Sequence, residues 1–328
     1  MIILVLGGAG YIGSHFVKQA IALGNDVIVA DNLQTGHREA IDKKAKFYQG
    51  DIRNGAFLDQ VFTENKIDAC VHFAANSLVG VSMKEPLQYF DNNVHGTIEL
   101  LKAMERHHVN NIVFSSSAAV YGAHQIMPIT EDYPTIPTNP YGESKLMMEK
   151  IMKWSDLAYG IRYVSLRYFN VAGASHDHTI GEVHIPETHL IPIILQVPLG
   201  IRENITIFGS DYQTKDGTCI RDYIHMDDLI HAHLLAIDYL SKGSPSNIFN
   251  LGSNYGYSNL EVLEAARNVT NHSIPYTVGE RRLGDPDILV ASNAKALKVL
   301  GWKPTKGLTD IISSAWEFHK SHPNGYSK

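Results

Sequence analysis

Cysteine is scarce in this chain: Cys70 and Cys219 are its only two. That is too few for a disulfide framework or a cysteine-rich zinc site. No apolar run approaches the length needed to span a bilayer, so no membrane partner is expected. The apolar start, Met1 to Leu6, lacks a basic flank and breaks at Gly7-Gly8, so it does not read as a signal peptide. Basic blocks and stripes are missing too, and the net charge of −6 gives no sign of a nucleic-acid partner. What remains is ordinary for a globular protein of the cytoplasm, with 44% hydrophobic and 19% charged residues. At 328 residues the chain can form one large domain or two moderate ones.

Strand and helix patterns alternate through the first half. Ile2-Ile3-Leu4-Val5-Leu6 is a continuous apolar run, the mark of a strand buried on both faces. Gly7-Gly8-Ala9-Gly10-Tyr11-Ile12-Gly13 follows, and a helical stretch over 14–23 ends at Gly24. Glycines at this spacing, between a strand and a helix, let backbone N–H groups approach a pyrophosphate closely. The next buried strand, 27–30, ends at Asp31. A carboxylate about 20 residues past the loop can accept bonds from both hydroxyls of an adenosine ribose. It would repel a 2′-phosphate, which favours NAD over NADP. Further strands are expected at 46–49, 69–73, 111–114 and 163–166, and helices at 54–63, 87–106 and 141–154. The fold class is therefore α/β, a Rossmann-type doubly wound parallel sheet whose ligands bind outside the carboxyl ends of its strands. The helices beginning near Leu87 and Tyr141 are apolar enough to pair with copies of themselves, so a homodimer is expected.

Tyr141-Gly142-Glu143-Ser144-Lys145 stands out within this frame. In a helix, Tyr141 and Lys145 share one face, and Pro140 suits the first helical position. An ammonium near a phenol favours the phenolate and lowers the tyrosine pKa from about 10, which provides a general base near neutral pH. Such a pair alone is often only a solvated face. The glycine loop upstream gives it weight.

The specific segments form a set. They are Gly7 to His15, Asp31-Asn32-Leu33, Gly50-Asp51-Ile52-Arg53, Asp91-Asn92-Asn93-Val94 and Phe114-Ser115-Ser116-Ser117-Ala118-Ala119-Val120-Tyr121-Gly122. With them stand Pro140 to Lys145, Leu166-Arg167-Tyr168-Phe169-Asn170, Arg221-Asp222-Tyr223-Ile224-His225 and the tail His322-Pro323-Asn324-Gly325-Tyr326. Over essentially its whole length the chain resembles the extended short-chain dehydrogenase/reductase superfamily, and within it the UDP-glucose 4-epimerases. The resemblance implies an isomerase that interconverts UDP-galactose and UDP-glucose through a transient 4-keto sugar, with tightly bound NAD. It implies that Tyr141 removes the proton of the sugar 4-hydroxyl and that Ser117 bonds the same oxygen and relays its proton. Lys145 would bond the nicotinamide ribose and depress the Tyr141 pKa. It assigns cofactor contacts to Gly7, Gly10, Tyr11, Ile12, Gly13, Asp31, Asn32, Asp51 and Ile52. The remaining cofactor contacts are Phe73, Ala74, Ala75, Asn92, Ser115, Tyr141, Lys145 and Phe169.

After Asn170 the alternation loosens. A loop rich in His, Asp and Gly is expected to 189, then a short helix at 190–199, a strand at 205–208, a helix at 227–240 and a strand at 247–251. The expected division is 1–170 plus 226–251 for an NAD-binding domain, and 171–225 plus 252–328 for a smaller α/β cap that binds the nucleotide sugar. A diphosphate needs cations, and the planar fork of arginine suits it. By the resemblance, Arg221 and Arg282 take that task and Asp285, in Arg281-Arg282-Leu283-Gly284-Asp285, bonds the uridine ribose. Asn170, His189, Leu190, Thr206 and Phe208 fall where the family holds the nucleotide sugar, as do Ser117 and Tyr141. His176, His178, His184 and His189, with Asp177 among them, raise the question of a metal. Their irregular spacing, the absence of a helical His pair and a chemistry that needs no metal argue for none.

Three positions depart from the family pattern. Leu6 stands where superfamily members often have Thr, and His189 where Asn is frequent. Leu289 falls near a position where a tyrosine narrows the sugar pocket in some members, so N-acetylated UDP-sugars are candidate further substrates. A dehydratase of the same superfamily is disfavoured, because Ala118 and Ala119 stand where dehydratases carry an Asp-Glu pair. A non-catalytic NAD-sensing protein is disfavoured by the presence of Ser117, Tyr141 and Lys145 together.

Overall fold

A computed structural model describes residues 1–124, 126–282 and 285–326. Leu283 and Gly284 of the arginine motif lie outside the described residues. The chain divides into two compact units, one of 1–122, 131–168 and 230–250, the other of 123–130, 169–229 and the remainder from Leu251.

The first unit is built on a seven-stranded sheet. Its first six strands are β1 (Ile2–Leu6), β2 (Asp26–Asp31), β3 (Lys46–Gln49), β4 (Ala69–His72), β5 (Asn111–Ser115) and β6 (Arg162–Tyr168). The order across the sheet is Asn247–Leu251, β6, β5, β4, β1, β2, β3. The pairs from β3 through β6 are all parallel, with Val5 opposite Val29 on one side and Val71 on the other. Ile3 to Leu6 are almost completely buried, as a central parallel strand covered on both faces requires. The strand order reverses between β1 and β4, so the crevice beyond their carboxyl ends is the ligand position of a doubly wound sheet. Just past those ends, the Phe73 amide ties β4 to β1 by donating to Leu6 O at 2.8 Å, while the Gly7 amide donates to Ala30 O of β2 at 2.9 Å.

The long helical pattern at 87–106 differs from expectation. It is interrupted: helix Pro86–Tyr89 runs into a π-helical turn, Phe90–His95, and only then into helix Gly96–Arg106. The extra residue in that turn belongs with the hydrogen bonding of Asn93. Its Oδ1 accepts from the Asn76 amide at 2.8 Å and Asn92 Nδ2 at 3.0 Å, and its Nδ2 donates to Asn76 O at 3.1 Å and Ser144 Oγ at 3.0 Å. Single π turns of this kind commonly re-aim one side chain at a functional site. The helix carrying Tyr141 starts as expected. Asn139 caps it by accepting from the Gly142 amide at 2.9 Å, Pro140 takes the first position, and the helix runs on to Tyr159 before Gly160 ends it at φ 70°.

The second unit has small sheets and its own apolar core, in which Ile191, Ile194 and Leu195 pack with Ile205, Val262, Leu263, Ile311 and Ile312. The expected loop after Asn170 begins with a strand, Asn170–Ala172, parallel to Tyr223–His225. The helix expected at 190–199 closes early, as Leu190–Leu195. Ile205–Phe208 alternates buried and exposed residues, which turns Thr206 and Phe208 to one open face.

Candidate active site

The glycine loop is shaped by close approach. Gly7 has φ +79°, and a Cβ there would lie 2.6 Å from the Ala74 amide nitrogen. At Gly13 a Cβ would meet Gly7 O at 2.1 Å, so the loop closes on the first turn of the helix Tyr11–Ala22 only because that atom is missing. Above Gly10, by contrast, only Gly7 O comes near, at 3.4 Å. The loop thus packs tightly underneath and stays open at the helix N-terminus, which is the cradle a pyrophosphate requires. Asp31, buried at the end of β2, accepts from the Ala9 amide at 2.9 Å and the Leu33 amide at 2.8 Å. Burial raises its carboxyl above the ordinary range, against those two bonds. Each oxygen takes one backbone bond and keeps capacity for a ribose hydroxyl. These residues fit NAD.

Asp51 is engaged more fully. Its Oδ1 accepts from the Arg53 amide and Nε, both at 2.9 Å, and its Oδ2 from Arg53 Nη2 at 2.7 Å and Asn32 Nδ2 at 3.2 Å. The Arg53 guanidinium holds this carboxyl well below the usual range. Ile52 beside it is buried. Past β4, the Phe73 ring packs on Phe16 at 5.7 Å and His233 at 5.0 Å, with Ala74 and Ala75 following and Asn92 buried.

The strand end Ser115-Ser116-Ser117 meets the helix Pro140–Tyr159 from the other side. Lys145 Nζ donates to Ser115 O at 2.8 Å and lies 4.9 Å from the Phe114 ring centre and 5.9 Å from that of Tyr141. Ser117 bonds the Tyr141 side chain, and its Oγ also accepts from the Ala119 amide at 3.1 Å. Ser117, Tyr141 and Lys145 are therefore one cluster. The expected depression of the Tyr141 pKa is not what this arrangement gives. Burial raises the phenol above its ordinary value, and the Ser117 bond offsets only part of that. Lys145 is buried as well, and burial pulls its ammonium down to about 7, with the Glu149 carboxylate working the other way.

Several groups around this cluster went unweighed in the sequence. Glu149 is one turn beyond Lys145, nearly inaccessible, and takes Arg167 Nε at 2.9 Å, Arg167 Nη2 at 2.5 Å and Ser116 Oγ at 2.6 Å. His233 places Nε2 3.2 Å from Ser115 Oγ. Asn93 ties the turn after β4 to Ser144. Its motif was visible, but only Asn92 received a role; the side-chain bonds that distinguish the two exist only in the folded chain.

The second unit gathers the other candidates in three places. Arg221, in the strand Ile220–Arg221, pairs with Asp285, Nη2 to Oδ1, at 3.2 Å, while Nη1 donates to Ile220 O and Pro286 O. Its Nη2 is buried and, apart from that ion pair, has no hydrogen-bond partner among the described residues, a donor suited to an anion. Leu289 stands opposite Arg221 in the neighbouring parallel strand. The Arg282 guanidinium lies 4.4 Å over the Phe208 ring, near Thr206 on the same strand face. Asn170 donates its amide to Asp222 O at 3.0 Å, directly after Phe169. His189 and Leu190 start the helix Leu190–Leu195, apart from both arginines in sequence, and His189 pairs with Glu182 and Glu187. Burial lowers the His189 imidazolium, but those carboxylates outweigh it and raise its pKa to about 10.

Residues 3–252 match the NAD dependent epimerase/dehydratase family. The chain belongs to that family. Among curated members, UDP-glucose 4-epimerase of Lacticaseibacillus casei is 60% identical over 327 residues, 99% of each chain. That of Streptococcus mutans is 60% identical over 329 residues, again 99% of each. A crystal structure of a UDP-glucose 4-epimerase, 54% identical, superposes with a TM-score of 0.98 over all of both chains. The Bifidobacterium longum UDP-glucose 4-epimerase, in complex with NAD+ and UDP, is 39% identical with a TM-score of 0.94 and covers 99% of this chain and 100% of its own. Of the family's two named activities, dehydration has no support here. Ala118 and Ala119, which open a short 3₁₀ turn after Ser117, can act as neither acid nor base.

Proposed function

We infer that this chain is an NAD-dependent UDP-glucose 4-epimerase that interconverts UDP-galactose and UDP-glucose through a transient 4-keto sugar. The observation that carries this reading is the cluster of Ser117, Tyr141 and Lys145 at the end of β5, beside two alanines and in the same unit as the glycine loop. Bound NAD supplies the hydride acceptor for C4 and the hydride that returns to it. Tyr141 takes the proton of the 4-hydroxyl as C4 is oxidised and gives it back when the ketone is reduced. Ser117, bonded to Tyr141, passes that proton between phenol and sugar oxygen. Lys145 bonds the nicotinamide ribose and supports the phenolate. A nicotinamide cation nearby would lower the phenol by charge attraction, in the direction opposite to burial. Inversion requires the keto sugar to turn its other face while its nucleotide stays anchored. Arg221 and Arg282 hold the diphosphate in this reading, Asp285 the uridine ribose, and Asn170, His189, Leu190, Thr206 and Phe208 the rest of the nucleotide sugar. The first unit is then the NAD-binding domain and the second the nucleotide-sugar domain.

The same proposal includes a cytoplasmic homodimer. Trp154 and Leu157, on the helix that carries Tyr141, are 69% and 68% exposed, which suits burial against a second copy. Light scattering that returns the mass of one chain would remove the dimer and leave the activity standing. A second reading, dual use of N-acetylated UDP-sugars, is favoured by the alkyl side chain of Leu289 opposite Arg221.

Incubation of the purified chain with UDP-galactose and no added cofactor tests the main reading, with UDP-glucose followed by chromatography. Product without added NAD is expected, since the cofactor must be retained. Absence of product even with NAD supplied would overturn the assignment.

A further inference from the structure

The segment before the helix Leu190–Leu195 brings together four side chains. His184 Nδ1 lies 3.2 Å from Glu182 Oε1 and 3.6 Å from Glu187 Oε2. His189 Nδ1 lies 2.8 Å from Glu182 Oε1 and 3.0 Å from Glu187 Oε1. One ligating atom from each of the four residues lies within 4.8 Å of the other three. Four ligands about 2.0–2.1 Å from a tetrahedral ion are about 3.3 Å from one another. The four His–Glu distances, 2.8 to 3.6 Å, bracket that value, with the two to Glu187 running to different oxygens of its carboxylate.

Charge points the same way. The Glu182 and Glu187 side chains are only 5% and 8% exposed. Two carboxylates withdrawn from water require two positive charges beside them. Two imidazolium rings can provide these, but both would then direct an Nδ1–H into one gap, with ring centres 5.0 Å apart. A single divalent cation provides the same charge, leaves both rings neutral and converts four close contacts into four bonds. Two imidazole nitrogens and two carboxylate oxygens suit zinc among the common divalent ions. The sequence alone argues for no metal at these histidines; His176 and His178, weighed with them there, are not among the four.

We propose that Glu182, His184, Glu187 and His189 form a structural site for a divalent transition metal of the zinc class. Four protein ligands leave no open position, so the ion takes no part in the chemistry. It closes the 182–189 segment into a loop and fixes the start of the helix Leu190–Leu195. That role rests on the functional reading above only in that His189 and Leu190 are its nucleotide contacts. With Nδ1 on the metal, the His189 ring is oriented and its Nε2 remains for the substrate.

The test uses the full chain with NAD retained. It is stripped with a chelator, dialysed, and titrated with Zn²⁺ by calorimetry and with Co²⁺ by visible absorption. One Zn²⁺ per chain, a higher thermal midpoint, and the intense visible bands of four-coordinate Co²⁺ are expected. H184Q and E187Q should each weaken Zn²⁺ by more than the roughly 10–100-fold that loss of an outer-shell partner costs. Wild-type titration stands even if a variant fails to fold. No stoichiometric Zn²⁺, Co²⁺ bands of a six-coordinate ion, or binding unchanged in folded H184Q would each overturn the site and leave an ion-pair cluster only. A chain that epimerises yet binds no metal loses this proposal alone. One that binds Zn²⁺ through these residues without epimerising loses only the functional reading.

Discussion

Glu149→Gln is the substitution whose consequences the structure specifies in most detail. Glu149 and Arg167 are both almost fully buried. The carboxylate accepts three hydrogen bonds, two of them from the guanidinium. Arg167 Nη1 continues to the Tyr121 hydroxyl at 2.9 Å, which donates to Asn250 Oδ1 at 2.7 Å. Glutamine keeps the size and one acceptor, but it removes the charge and turns an NH2 group toward another donor. Hydrogen bonds to charged groups are worth about 1.5–3 kcal/mol each. Removing one partner of a buried pair costs about 3–5 kcal/mol, because the other charge stays uncompensated. Urea unfolding should therefore show a loss of about 3–5 kcal/mol. Replacing both partners, as Glu149→Leu with Arg167→Met, should recover much of that, since apolar isosteres often match a buried pair. The catalytic effect separates from the stability effect. The Glu149 charge raises the Lys145 pKa against burial, and the two together leave it at about 7. Without it the ammonium is lost at lower pH, so the limb of the rate profile that falls as pH rises should move to lower pH in both variants. A stability change below about 1 kcal/mol in E149Q, together with an unmoved pH profile, would refute this account of the network.

Tyr141→Phe should lower the epimerisation rate by about 10²–10⁴ while the protein still copurifies with NAD; a rate close to wild type would remove Tyr141 from proton transfer. Gly13→Ala places a Cβ 2.1 Å from Gly7 O. It should yield protein without bound NAD, and retention of the cofactor at wild-type level would show that the loop can shift. Leu289→Tyr should reduce turnover of UDP-N-acetylglucosamine more than that of UDP-galactose. Wild type that turns over no N-acetylated sugar, with activity appearing only on a smaller residue at 289, would discard the broader specificity.

The sequence by itself determined the sheet and its ligand edge. Continuous apolar runs such as Ile2 to Leu6 can be satisfied only by strands covered on both faces, and the glycines at 7, 10 and 13 by a tight strand-to-helix turn. Both are local constraints, written in consecutive residues. Pro140 likewise announced where the Tyr141 helix begins. Tertiary structure decided what depends on residues far apart in the chain. The π turn at Phe90–His95 serves an Asn93 side chain that reaches Asn76 and Ser144. The pKa of Tyr141 follows from how deeply it and Lys145 are buried, and burial sums over every neighbour, whatever its place in sequence. Glu149 and Arg167, 18 residues apart in sequence, meet only because the sheet and the Tyr141 helix put them in one interior. Glu182 and Glu187 are close to His184 and His189 in sequence, but only the backbone path between them turns four polar side chains toward a common centre. Spacing records which residues can meet; desolvation and the direction of each side chain are settled only when the chain is packed.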